Sequence, residues 1–292
     1  MTWLLWLGLV LCVLAVVAAG LSFLGAKRWS DATQTLTGGI EAARLDEKGR
    51  LTSPTRYDSR KLAGLPAPVQ RYFRAVLKEG QPIIAAVTLE LAGTINLSAT
   101  DEQWKPFTSR QRVVIRRPGF VWDAQVSMLP GVAVRVHDSY VAGEGLLHAA
   151  VLGLFTVADL RGAGEIARGE LMRFFAEAAW YPTALLPSQG VRWAAVDDRS
   201  ANATLVDGPI TLTLLFRFND AGLIDSFRAE ARGAAMVGKE MVMLPWEGSW
   251  SNYQARDGMT VPITGEVAWL RPEGRKPYFR GAITSLTYEF SR

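Results

Sequence analysis

From Trp3 to Ala26 the chain carries no charged side chain, and Lys27 and Arg28 follow at once. At about 1.5 Å per residue, such a run as a helix covers a hydrocarbon core of roughly 30 Å. Residues 1–26 therefore read as a single transmembrane anchor, with residues 3–26 meeting the membrane. Residues 27–63 show no sustained apolar period and are dominated by Asp, Thr, Gly, Arg and Ser, which predicts a linker. Val69, Tyr72, Phe73, Val76 and Leu77 then fall at i, i+3, i+4, i+7 and i+8, the apolar stripe of a helix. Pro66 and Pro68 suit its start and Gly80 its stop.

After Gly80 the period changes to two. Val87, Leu89 and Leu91 alternate with polar or small residues, as do Phe120, Trp122, Ala124, Val126 and Met128, and then Val132, Val134 and Val136. Pro118-Gly119 and Pro130-Gly131 supply turns, so residues 110–117, 119–128 and 131–141 are expected as consecutive antiparallel strands. A second helix is expected from Glu165 to Ala179, with Leu171, Phe174, Phe175 and Ala178 on one face. Strand patterns resume over 191–196, 201–206, 210–218, 223–232, 241–253, 259–270 and 278–290. The fold class that follows is α+β: a large, curved antiparallel sheet, a meander or half-barrel, with two packed helices in a soluble domain over residues 64–292.

The anchor reading outweighs a cleaved signal peptide, because no basic n-region precedes the apolar run and the run is too long. Sidedness rests on two opposed signals. Lys27 and Arg28 favour a cytoplasmic domain, whereas the lack of any cysteine after Cys12 suits an oxidising compartment. The half-barrel expectation tips the balance to the extracytoplasmic side. Net charge is +4, with 32 basic and 28 acidic residues interspersed, and no basic block of the kind that binds nucleic acid.

Several motifs stand out: Leu65-Pro66-Ala67-Pro68-Val69-Gln70-Arg71-Tyr72, Trp104-Lys105-Pro106-Phe107, Asp138-Ser139-Tyr140, and Glu177 followed by Trp180-Tyr181-Pro182-Thr183-Ala184-Leu185-Leu186-Pro187. With these the chain, from about residue 63 onward, resembles an uncharacterised bacterial family of membrane-anchored proteins that carries only a domain-of-unknown-function label. The resemblance implies no activity. In architecture alone, a meander with a helix laid over it is similar to the half-barrels of periplasmic lipoprotein carriers, which hold acyl chains on a concave apolar face.

Catalytic patterns are thin. His137 and His148 fit no metal-ligand spacing, no zinc or iron site and no cofactor is expected, and no nucleophile elbow or phosphate loop occurs. Glu170, Arg173 and Glu177 cluster on the flank of the second helix, beside Trp180 and with Asp138 within reach. The plainer reading is a salt-bridged flank, since Arg173 and Glu177 stand at i, i+4. Arg71 has two readings, pinning the first helix to the sheet through a carboxylate, the commoner case, or meeting a ligand headgroup. Seven tryptophans fall in the domain; Trp122 is expected in the core, and Trp246 and Trp250, four apart on a strand, are expected to share a pocket wall. The candidate ligand-binding residues are Asp138, Tyr140, Arg173, Glu177, Trp180, Trp246 and Trp250. They point to a membrane-anchored, non-enzymatic module that binds a lipid or other apolar ligand. The alternatives are an enzyme acting on an envelope-derived substrate through Glu170, Glu177 or Asp138, and a protein-interaction scaffold. Oligomeric state is not legible in the sequence.

Overall fold

The computed structural model describes residues 2–47, 55–238 and 240–291. Thirteen strands form one antiparallel sheet: β1 (Ile84–Asn96), β2 (Trp104–Val114), β3 (Gly119–Leu129), β4 (Val132–Val141), β5 (Glu144–Val151), β6 (Phe155–Gly162), β7 (Arg192–Asp197), β8 (Ser200–Asp207), β9 (Ile210–Phe218), β10 (Ile224–Val237), β11 (Glu240–Arg256), β12 (Met259–Arg271) and β13 (Gly274–Phe290). Their order across the sheet is β6-β5-β4-β3-β2-β1-β13-β12-β11-β10-β9-β8-β7. The chain meanders outward to one edge, crosses over, and meanders back from the other. The two wings meet at a seam where β1 pairs with β13, Leu89 opposite Leu286.

The crossing is made by α3 (Glu165–Ala176) and a run of 3₁₀ turns through Gln189, laid over the inner face of the curved sheet. Almost every residue from Leu171 to Leu186 is buried. The Glu177-to-Pro187 motif is thus a strap, and Thr183 Oγ1 fastens it by accepting the Ile84 amide at 3.0 Å. The helix α2 (Ala67–Val76) buries the stripe Val69, Tyr72, Phe73 and Val76, as its spacing requires. It fills one end of the basin with aromatics, Tyr72 lying 5.7 Å from Phe218 and Phe73 6.5 Å from Trp193, ring to ring.

Three expectations need correction. Residues 27–47 are not a linker: helix α1 runs unbroken from Thr2 to Glu47. Trp29, Thr33, Leu36 and Ile40 form a sparse stripe at helical spacing that packs on the sheet's outer face, too thin to register against its polar surroundings. The rest of the predicted linker divides at residue 54, with 48–54 outside the described residues, while Tyr57 and Leu62 are buried in the main core. Strands β5 and β6 went unpredicted, because Leu146 to Phe155 is a nearly continuous apolar stretch without alternation. The second helix is α-helical only to Ala176 and tightens into a 3₁₀ turn over Glu177–Trp180.

Among the described residues, no helix is long and apolar enough to cross a membrane. Every residue from Trp3 to Leu24 whose side chain is described is exposed, Trp3, Leu5 and Phe23 among them, and burial begins at Gly25. There the helix presses so closely on the β5–β6 turn that a Cβ on Gly25 would strike the Leu152 carbonyl oxygen.

Candidate functional site

Between α3 and the inner face lies a cavity of about 250 Å³. Its depth is aromatic: Trp122 from β3, Trp180 from the strap, Phe227 from β10, and Trp246 and Trp250 from β11. Trp250 packs edge-on against Trp180 at 4.8 Å and across from Gly265, whose missing side chain makes room for the indole. Leu160, Glu165 and Ala235 are exposed and mark the mouth. The same elements carry further exposed apolar side chains, Phe155 and Val157 on β6 and Met236, Val242 and Met243 on the β10–β11 hairpin.

Charged groups sit on one wall. Arg173 donates from Nε to Glu177 Oε1 at 2.8 Å, from Nη1 to Asp138 Oδ2, and from Nη2 to Gln111 Oε1 at 3.4 Å. Gln111 Nε2 donates in turn to Glu177 Oε2 at 2.6 Å. The guanidinium lies 4.7 Å from the Trp122 ring and 5.1 Å from Phe120. Burial works against the charge on Arg173, but the carboxylates of Glu177, Asp138 and Glu170 outweigh it and raise its pKa.

Glu170 is the reverse case. Burial first, then the neighbouring Asp138 charge, push its pKa well above the usual carboxylate range. Glu170 Oε2 and Asp138 Oδ1 are both buried without a donor. A proton held by Glu170 and donated to Asp138 satisfies both.

A second cation closes the wall. Arg232 donates from Nε to the Gly169 carbonyl at 3.2 Å and from Nη1 to Tyr278 Oη at 3.4 Å, and its Nη2 stands 3.8 Å from Glu170 Oε1. It lies over Trp246 at 4.3 Å and Trp269 at 5.7 Å. Trp246 Nε1 donates to Tyr278 Oη at 3.0 Å.

Six of the seven candidate residues, Asp138, Arg173, Glu177, Trp180, Trp246 and Trp250, line this one cavity. Tyr140 does not. It is fully buried and donates to Asp207 Oδ2 at 2.6 Å, tying β4 to the β8–β9 turn. Trp122 is core, as expected, and floor of the cavity as well. The bridge between Arg173 and Glu177 exists but is buried against the sheet rather than on a solvated flank. Among the described residues Arg71 meets no carboxylate, and it donates to the Asp198 backbone carbonyl.

Sequence reasoning missed Gln111 and Arg232. Gln111 shares its face with Phe107 and Val113, a polar residue at a core position, and that parity was readable. Arg232 was hidden, because a bulge between Ala229 and Arg232 shifts the register and turns it inward when plain alternation sends it out. Among the described residues no cluster of His, Cys, Asp and Glu has the makings of a metal site.

The sequence profile of a family of unknown function, DUF6920, matches residues 63–288. The chain belongs to the DUF6920 family. No curated protein matches it. Among solved structures the chain is similar to a LolA superfamily protein of Nitrosomonas europaea, with 10% identity and a TM-score of 0.35, covering 78% of this chain and 96% of that one. It is also similar to a β-barrel-like protein of the DUF1849 family from Brucella abortus, with 11% identity and a TM-score of 0.27, covering 71% of this chain and 99% of that one. These are remote likenesses of shape and carry no functional argument for the DUF6920 chain.

Proposed function

We propose that this protein is a membrane-associated, non-enzymatic module that holds a lipid or other apolar molecule in the cavity beneath α3. The observation that carries the reading is the cavity itself: aromatic in its depth, polar on one wall and rimmed by exposed apolar side chains, the composition of a small-molecule site. Membrane association rests on the arm from Trp3 to Leu24, whose described side chains expose far more apolar surface than a soluble chain carries. The absence of cysteine after Cys12 supports an extracytoplasmic domain, and a reporter fused after Arg292 and compared between compartments decides that point.

The test is native mass spectrometry of the full chain released from a non-ionic detergent. The expected result is one co-purifying apolar adduct per chain, or uptake of one hexadecan-1-ol after delipidation, with uptake falling at least tenfold in Gly265→Val, which drives Trp250 into the cavity. Failure of the wild type to take up either overturns the proposal. A second reading, catalysis, is favoured by the raised pKa of Glu170 beside Asp138 in the cavity wall. Ligand recovered with altered mass, and unaltered from Glu170→Gln, would establish that reading in place of the first.

A further inference from the structure

The two buried cations of the cavity wall are unequally paired. Arg173 has two carboxylates, Asp138 and Glu177, in direct contact. Arg232, only 8% exposed, has a single ion-pair partner within 4 Å among the described residues, Glu170, at 3.8 Å and beyond hydrogen-bonding reach. Burial raises the Glu170 pKa in that setting, which weakens the one counter-charge near Arg232, already beyond hydrogen-bonding reach. A buried charge without a counter-charge is costly, and such sites are paired when occupied.

Donors are also in excess on the same wall. Tyr278 Oη accepts from both Trp246 and Arg232, so its own proton points elsewhere. Arg232 lies over the Trp246 and Trp269 rings, and a guanidinium so placed suits a planar or tetrahedral oxyanion.

We infer that Arg232 and Tyr278 seat the anionic head, carboxylate or phosphate monoester, of a single-chain amphiphile whose tail lies among Trp122, Trp180, Phe227 and Trp250. This deepens the apolar-ligand reading and rests on it. The head supplies the negative charge that Arg232 lacks and the acceptor that the Tyr278 hydroxyl lacks, while the tail displaces only weakly held water from an aromatic lining.

The experiment is competition binding to the delipidated full chain in one non-ionic detergent, read by native mass spectrometry, with palmitic acid, hexadecyl phosphate, methyl palmitate and hexadecyltrimethylammonium as probes. Palmitic acid or hexadecyl phosphate is expected to bind at least tenfold tighter than methyl palmitate, the better of the two identifying the head, and the cationic probe more weakly than the ester. In Arg232→Gln the anion-to-ester ratio falls to about twofold or less. Tyr278→Phe, which keeps the ring packed on Trp269, lowers that ratio at least threefold and serves as the decisive variant if Arg232→Gln does not fold. Equal binding of acid, phosphate and ester by the wild type overturns the head-group assignment while leaving the apolar-ligand reading standing, as does a ratio unchanged in Tyr278→Phe. Binding of no probe at all overturns both.

Discussion

At the scale of single residues, the cavity wall separates three carboxylates by environment. Glu177 and Asp138 are held by Arg173, whereas Glu170 is buried beside Asp138 and its pKa is raised. The difference predicts opposite responses to neutralisation. Glu170→Gln preserves the shape and a donor toward Asp138, so the unfolding free energy should change by less than about 1 kcal/mol. Arg173→Gln leaves two buried carboxylates without their cation and should cost about 3 to 5 kcal/mol. Urea unfolding of both variants checks the contrast. The raised pKa of Glu170 also has a defined sign. Above its ordinary value near 4.5 the unfolded state sheds the proton that the folded state keeps, so this group's contribution to stability falls as pH rises. In Glu170→Gln that fall should vanish from the pH profile of the unfolding midpoint.

At the scale of elements, the outer face holds a second polar cluster that governs how α1 docks. Trp29 stacks on His137 at 3.9 Å and donates from Nε1 to Asp123 Oδ1 at 2.9 Å. Thr33 Oγ1 lies 2.7 Å from His137 Nε2 and 3.1 Å from Asp123 Oδ2. Thr33 has one proton to give, and a neutral His137 donating from Nε2 leaves that proton for Asp123 or for the Trp29 carbonyl at 3.0 Å. Burial, joined by the charges of His148 and Arg135 and opposed by Asp123, pulls the His137 pKa down to about 4. Between its ordinary value of 6.5 and 4 the unfolded state binds a proton that the folded state refuses, so stability is lost as pH falls through that window. The loss is bounded by about 3 kcal/mol, from 1.36 kcal/mol per unit. Protection factors over residues 25–44, corrected for the intrinsic pH dependence of amide exchange, should therefore fall at pH 4.5 relative to pH 7, and His137→Gln should abolish most of the difference. Sequence legibility was uneven at this scale for physical reasons. Clean period-two runs such as Phe120 to Met128, and the α2 stripe, announced themselves because one face is buried and the other is not. The stretch 27–47 did not, because α1 touches the sheet through only a few side chains. Arg232 was concealed by a bulge that sequence parity cannot register.

At the scale of the whole molecule, the order of strands makes almost every pairing local except one. Hairpins such as β3–β4 and β8–β9 join neighbours in sequence, but the β1–β13 seam joins Val87 to Tyr288 across nearly the entire domain. Closing so long a loop costs entropy before any contact repays it. Each wing should therefore gain structure before the seam does. Pulse-labelled amide exchange during refolding should protect β3–β4 and β8–β9 before Val87, Leu89 and Leu91, and simultaneous protection would refute this order. Six of the seven candidate residues converged on one cavity because the meander wraps β4 and β11 toward the same strap, a convergence that no single stretch of sequence contains. One consequence concerns α1, an uninterrupted rod from Thr2 to Glu47 whose later turns are clamped to the outer face by Trp29, Ile40 and the Glu41–Arg112 bridge. A rod has no swivel. Whatever grips its first turns also sets the heading of the basin's opening, so the protein presents its mouth at one fixed tilt and stand-off, like a lamp on a rigid bracket, rather than sweeping it on a leash.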